Sequence, residues 1–428
     1  MSTSRLFWLI LALGIAVRTA LVVLLHVPLT IDFAEMEKIA RSLAEYGAFA
    51  NPYAVPTGPT AHHAPVYPFL LNFVFRALGY GYAAALAMAL MNFAFASLQW
   101  ALMPLLAERA GLPRSVGIVT AVMGALLPYR LLRETRWETS LVAAAVAVLV
   151  FLTLRWWQRR TLTVVHSAAI GAAWGVGTMC SANFLLVFPL VLVVIVYRAA
   201  PFERSRWLQH AAMSAVGFIV AVTPWTIRNY AALHGFVPTR SNFGIEFSVS
   251  NNADAHVLAV DNYLVGYPNN YFHLHHPWSN RAEAREVARL GEIAYNRRRV
   301  AETVDWIRSH PRQFASLTSR RVLFFWFTPY TTQPWKNVVL TPLSLLAMFG
   351  MFIAVRRGLE LGWLFAALWI GYPLVYYVMQ TDTRYRYPIE WSFALLAVYA
   401  AYNVVSSRLP AIQSWRGAVR LPAPVARR

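Results

Sequence analysis

The sequence predicts an all-α polytopic membrane protein of about ten transmembrane helices with an extramembrane lobe on one face. Three observations lead there. Of 428 residues, 58% are hydrophobic and only 13% charged. The apolar residues fall in runs of about twenty, the length a helix needs to cross a hydrocarbon core. These runs lack the period-2 alternation of a lipid-facing barrel strand, so helices must satisfy the backbone in lipid.

Spans are expected near 6–27, 82–107, 115–129, 139–157, 164–181, 183–199, 208–229, 338–355, 361–379 and 386–405. The apolar stretch 66–78 is too short to cross alone and reads as a re-entrant or interfacial helix. Two spans meet at Ser181-Ala182-Asn183 almost without a loop. The N-terminal run follows Arg5, contains Arg18 and lacks a small-x-small cleavage site, so it reads as an uncleaved signal anchor. The single cysteine, Cys180, falls within a span, which excludes an intrachain disulfide and a cysteine metal site.

Charge orients the bundle. With the N-terminus in the cytoplasm, the cytoplasmic segments carry sixteen arginines and only three acids, Glu108, Glu203 and Glu360. Short basic loops on one side follow the positive-inside rule. The net charge of +19 is therefore mainly a topology signal, and its place in membrane-flanking loops argues against a nucleic-acid partner. The functional face is then expected on the outer side of the membrane.

Four regions follow. Residues 1–230 form a membrane core of seven spans with a first outer loop at 28–65. Residues 231–337 form a periplasmic lobe, 338–405 carry three further spans, and 406–428 are a basic cytoplasmic tail. The lobe opens with turn-forming residues such as Asn251-Asn252 and Pro268-Asn269-Asn270. Val287, Leu290, Ala294, Ala301, Val304 and Ile307 then recur at helical spacing. Phe314 to Phe327 reads as an interfacial helix carrying Arg320-Arg321.

Nearly all acids fall on the outer face, where half-buried charge needs a reason. Asp32 follows the first span and precedes an amphipathic helix marked by Met36, Ile39, Ala40 and Leu43. It reads either as a helix cap or as a general base. Glu35 lies one turn on. The segment Pro56 to Pro68 is stiffened by prolines and holds His62, His63 and Tyr67, a turn or an active-site wall. Adjacent histidines point in different directions and no third ligand is evident in that loop, so no metal site is assigned. His273, His275 and His276 form a loop cluster without a neighbouring carboxylate. Arg133 and Arg136 in a second outer loop, Arg228-Asn229 ending the seventh span, and Arg384 and Arg386 opening the last are candidates to bind phosphate.

Laid in order, these segments resemble the GT-C membrane glycosyltransferases. Within that group they are most similar to bacterial members of glycosyltransferase family 39, relatives of the protein O-mannosyltransferases and the lipid A aminoarabinose transferase. The resemblance rests on Asp32, on Pro65-Tyr67-Pro68, and on Pro224-Trp225 with Arg228-Asn229-Tyr230. It also draws on Gly235, Val237-Pro238, Asn251-Asn252, Ile307-Arg308-Ser309-His310-Pro311, Arg321 to Trp326 and Arg384-Tyr385-Arg386. It implies a GT-C bundle in a bacterial inner membrane with its site facing the periplasm, and inverting transfer of a sugar, hexose or pentose, from a polyprenyl-phosphate donor. The acceptor is a hydroxyl on an unknown glycan, lipid or protein. Asp32 matches the family's catalytic first-loop Asp, and the other site residues would bind substrate. Phe33 stands where many members have a second acid, which favours no cofactor; a divalent metal is allowed but not favoured. Where some relatives carry Lys, this chain has His62-His63. The competing reading is a flippase or transporter of lipid-linked or anionic substrate, which would place ionisable groups deep in the spans.

Overall fold

The computed structural model describes residues 2–128, 131–159, 161–327 and 335–408, except the side chains of 132, 133, 335–337 and 408. Most of the basic tail (409–428) and the Arg133 side chain lie outside the described residues. The described chain is helical, with two isolated β-bridges and no strand.

The N-terminal half runs α1 (Thr3–Leu24), α2 (Glu35–Tyr46), α3 (Val66–Leu78), α4 (Tyr82–Ala101), α5 (Met103–Arg109), α6 (Arg114–Leu126), α7 (Leu131–Glu134), α8 (Thr139–Trp157), α9 (Val164–Thr178), α10 (Phe184–Arg198) and α11 (Arg204–Leu233). The lobe holds α12 (Phe243–Ser250), α13 (Ala259–Leu264), α14 (Tyr271–His275), α15 (Arg281–Leu290), α16 (Glu292–Ser309) and α17 (Pro311–Trp326). The chain returns through α18 (Trp335–Arg356), α19 (Glu360–Gly371), α20 (Leu374–Val378) and α21 (Thr383–Arg408).

Among the described residues, seven helical stretches are long and apolar enough to cross a membrane: 3–24, 82–109, 139–157, 201–233, 338–356, 360–378 and 383–407. The protein is a multi-pass membrane protein, but the count is seven rather than the ten expected. The other three segments are helical but short. Helix α6 has 13 residues, and α9 and α10 have 15 each. At 1.5 Å per residue they rise about 20–22 Å, against a core of about 30 Å. Pro113 and Pro128 bracket α6, and the turn at 179–183 cuts α9 from α10. Apolar composition alone does not show where a helix breaks.

The bundle packs α1 on α4, α4 on α8, α8 on α21, α18 on α21 and α10 on α19. Helices α9 and α11 cross closely. A Cβ at Gly171 would collide with the Ser214 carbonyl, and one at Gly217 with that of Ala168. Small residues let membrane helices approach this closely and gain dispersion contacts that lipid cannot supply. Helix α3 is short, as expected, and lies against α2.

An ion pair buried inside the bundle joins its first helix to α7. The Arg18 guanidinium of α1 donates to Glu134 at 2.7 Å and to the carbonyls of Gly14 and Gly124 at 3.2 and 3.3 Å. Tyr387 of α21 donates to the same carboxylate at 2.6 Å, and Gln99 of α4 donates to Tyr387 at 3.0 Å. Both charges are essentially solvent-free, with exposures of 0% and 2%. Glu134, expected in an outer loop, is thus drawn into the bundle. Arg18→Met would strand the carboxylate at a cost of about 3–5 kcal/mol, while Arg18→Met/Glu134→Gln would recover much of that loss. Thermal unfolding in nanodiscs measures both; equal melting temperatures for wild type and Arg18→Met would show the pair to be neutral.

Candidate functional site

The site is built from the first outer loop. Helix α2 starts at Glu35 because its amphipathic face, with Met36, Ile39, Ala40 and Leu43, buries against the bundle. Its N-cap is Ala34, whose N–H donates to Glu37 at 2.9 Å. Asp32 is therefore not the cap. Phe33 sits at φ 49°, in the left-handed region a bulky residue rarely adopts, and turns the chain between Asp32 and the helix.

Asp32 is half exposed. It accepts from Thr30 at 2.9 Å and pairs with Arg136. Partly exposed pairs of this kind are worth about 1 kcal/mol or less, so a better anion can displace the carboxylate from Arg136. Behind it, Glu37 is buried, and that burial pushes its carboxyl up to about 7. Tyr67 is also buried. Its hydroxyl donates to the Arg136 carbonyl at 3.0 Å and accepts from Asn92 at 2.8 Å, which fixes the second outer loop against α3 and α4.

The sequence set Glu35 beside Asp32 and apart from His62 and His63; the structure puts Glu35 in contact with both histidines. Glu35 lies 3.0 Å from His62 Nε2 and 3.3 Å from His63 Nε2. His276 of the lobe approaches the same carboxylate at 3.8 Å and Glu246 of α12 at 4.0 Å. Burial would raise the Glu35 carboxyl, but the surrounding imidazoles hold it well below its usual range. The same balance lowers Glu246. Burial would lower His62, yet Glu35 raises it overall; for His63 burial wins and lowers it.

A cleft beside this cluster is lined by Met36, His63, Ala64, Tyr67, Pro68, Glu138, Cys180 and Arg240. Arg240, which sequence reasoning missed, donates to the His62 carbonyl at 3.1 Å and reaches His63 Nδ1 at 3.5 Å. It had no signal of its own, being one arginine in an irregular segment after the seventh span.

The remaining arginines divide. Arg228 donates to the carbonyls of Thr60 at 2.6 Å and Phe49 at 2.8 Å and lies over Phe49 and Trp225. Asn229 is fully buried and donates to the Val237 carbonyl at 2.9 Å. Both hold the scaffold. Arg386 is buried, bonded to the Trp326 carbonyl and Ser344 at 2.8 Å each and 3.3 Å from Glu390, so it ties α21 to α17 and α18. Arg384 stacks over Trp137, next to Arg136, and donates to Tyr385 at 2.7 Å.

Solved structures share the fold. An oligosaccharyltransferase, AglB, from Archaeoglobus fulgidus, in complex with an inhibitory peptide and a dolichol-phosphate, superposes with a TM-score of 0.58 at 15% identity. The match covers 97% of this chain and 52% of that one. The apo form of the Archaeoglobus enzyme gives 0.57 at 13% identity, with 96% and 52% coverage. The fold is that of the GT-C membrane glycosyltransferases. This chain thus spans about half the length of the oligosaccharyltransferase it matches. ArnT from Cupriavidus metallidurans bound to undecaprenyl phosphate aligns at a TM-score of 0.40 and 14% identity, over 95% of this chain and 78% of that one. No family model and no curated protein matches the sequence.

On this GT-C scaffold one carboxylate fixes the loop to the lobe. Glu292, at the start of α16, accepts from Thr60 Oγ1 at 2.5 Å, the Ala61 N–H at 2.8 Å and the Ser241 hydroxyl. It is buried, at 6% exposure. Glu292→Ala would leave these donors unmatched at about 1–3 kcal/mol each before relaxation. The expected result is faster protease cleavage between Asn51 and His63 in folded protein, read by limited proteolysis. Unchanged cleavage would mean the loop is held elsewhere.

Proposed function

We propose that the chain is an inverting glycosyltransferase that moves a sugar from a polyprenyl-phosphate donor to a hydroxyl acceptor on the periplasmic face of a bacterial inner membrane. The observation that carries the reading is the pairing of exposed Asp32 with Arg136 at the first outer loop of a GT-C fold. A base that must take a proton and a cation that must meet a phosphate already stand side by side. The dolichol-phosphate in the AglB complex supports a lipid-phosphate ligand on this scaffold.

The donor phosphate takes Arg136 from Asp32 and frees the carboxylate. The acceptor hydroxyl gives its proton to Asp32 and attacks the anomeric carbon from the face opposite the phosphate. The new O–C bond forms as the bond to phosphate breaks, and polyprenyl phosphate leaves with the electron pair, inverting the centre. Arg136, Arg240 and Arg384 offset the charge that grows on the leaving oxygen. Arg228, Asn229 and Arg386 support the site indirectly, through backbone and helix contacts. This transfer needs no cofactor. Acceptor choice falls to the lobe.

The transporter reading draws on the buried Arg18 and Glu134. That pair is bonded to its own bundle on every side the structure describes, which fits a scaffold role better than a substrate path.

The test is release of free polyprenyl phosphate in nanodiscs from a panel of polyprenyl-phosphate sugars. Asp32→Asn should lose about 10²–10⁴ in rate with donor binding retained. Wild-type turnover by that variant would sink the mechanism. Arg240→Ala should weaken donor binding roughly tenfold or more, read by titration with donor; unchanged affinity would remove Arg240 from the phosphate site.

A further inference from the structure

Three imidazoles and a carboxylate converge where the first outer loop meets the lobe. His62 Nε2 is 3.0 Å from one Glu35 oxygen, His63 Nε2 is 3.3 Å from the other, and His276 Nε2 is 3.8 Å from the first. The ligand atoms of Glu35, His62 and His63 all lie within 4.8 Å of one another. A tetrahedral ion with bonds of about 2.0–2.1 Å holds its ligand atoms roughly 3.4 Å apart. The three separations bracket that value.

Two further observations point to an ion between these atoms. Glu35 Oε1 and His62 Nε2 lie 3.0 Å apart in a buried site, and neither has a hydrogen-bond partner besides the other. Buried polar atoms with a single partner have bonding capacity to spare, and a shared cation takes it up on both. The other ring nitrogen of His62 is held by the Tyr53 hydroxyl at 2.9 Å. An outer partner of this kind fixes the orientation of a ligating imidazole.

We propose that Glu35, His62, His63 and His276 bind one divalent transition metal of the zinc class. The donor set decides the class: imidazoles suit zinc, whereas magnesium and calcium take oxygen ligands. Glu35 and nearby Glu246 balance the ion's charge, and Arg240 opposes it from the far side of His63. Its contact with His63 Nδ1 is at the limit of bonding, and the guanidinium keeps its shorter bond to the His62 carbonyl when His63 ligates. Four protein ligands make a closed site, so the ion staples the outer loop to the lobe and takes no part in the transfer. This revises the metal-free reading of the sequence, which saw His62-His63 and His276 as separate loop features.

The experiment uses the full chain in nanodiscs, with any affinity tag removed. Chelator-treated protein is titrated with Zn²⁺ and, separately, with Co²⁺. The expected results are one equivalent of zinc, a rise in melting temperature on loading, and the intense visible bands of tetrahedral cobalt. Tyr53→Phe should weaken binding about 10–100-fold while the protein stays folded. Glu35→Gln/His62→Gln should abolish binding. No stoichiometric binding by the wild type, a weak octahedral cobalt spectrum, or undiminished binding by the double variant would each overturn the site. Since these readouts report metal and not turnover, they are independent of whether the protein transfers sugar.

Discussion

The Glu292 carboxylate is the contact on which the junction of loop and lobe depends. It begins a lobe helix, yet all three of its partners lie outside that helix, in Thr60, Ala61 and Ser241. Without it the segment carrying His62 and His63 has few local reasons to hold one shape, since prolines fix individual φ angles but supply no donors. With it, both histidines are set against Glu35. Arg228 closes the same segment from below by capturing the carbonyls of Thr60 and Phe49. Loop, lobe and the C-terminal end of α11 are thus one hydrogen-bonded unit.

A second buried charge performs the matching task in the bundle. Arg18 and Glu134 join α1 to α7, and through Tyr387 and Gln99 to α21 and α4. Charge inside hydrocarbon must be paired, so the pair specifies which helices adjoin as well as adding stability. The first and last spans are thereby locked together across most of the sequence. Asp32 lies eight residues beyond the end of α1, so its place is tied to that lock.

Much of this was legible beforehand. The helical membrane class followed from run length, and the amphipathic α2 from the spacing of Met36, Ile39, Ala40 and Leu43. The short α3 followed from its length. The number of spans did not, because apolar composition shows what can enter lipid, while helix breaks at Pro113, Pro128 and 179–183 depend on backbone geometry. Asp32 could be singled out but not distinguished from a cap until Ala34 was seen to fill that place. The roles of Arg228 and Arg386 were hidden for a different reason. An arginine that binds a backbone carbonyl looks in sequence like one that binds phosphate. The association of Glu35 with His276 spans 241 positions of chain and left no local pattern.

The three short helices also shape the surrounding membrane. They are not sealed inside the bundle: Val119 and Met123 of α6, Val176 of α9, and Val193 and Tyr197 of α10 are exposed. Lipid beside them meets an apolar belt several Å narrower than the one along α11 or α21. A bilayer answers such a mismatch by thinning or by letting flanking residues reach outward. The protein therefore carries an uneven rim, and a long-chain lipid diffusing around it meets a local dip in the headgroup plane. Membranes of different acyl length would present that dip at different depths, making bilayer thickness a variable to which this fold responds.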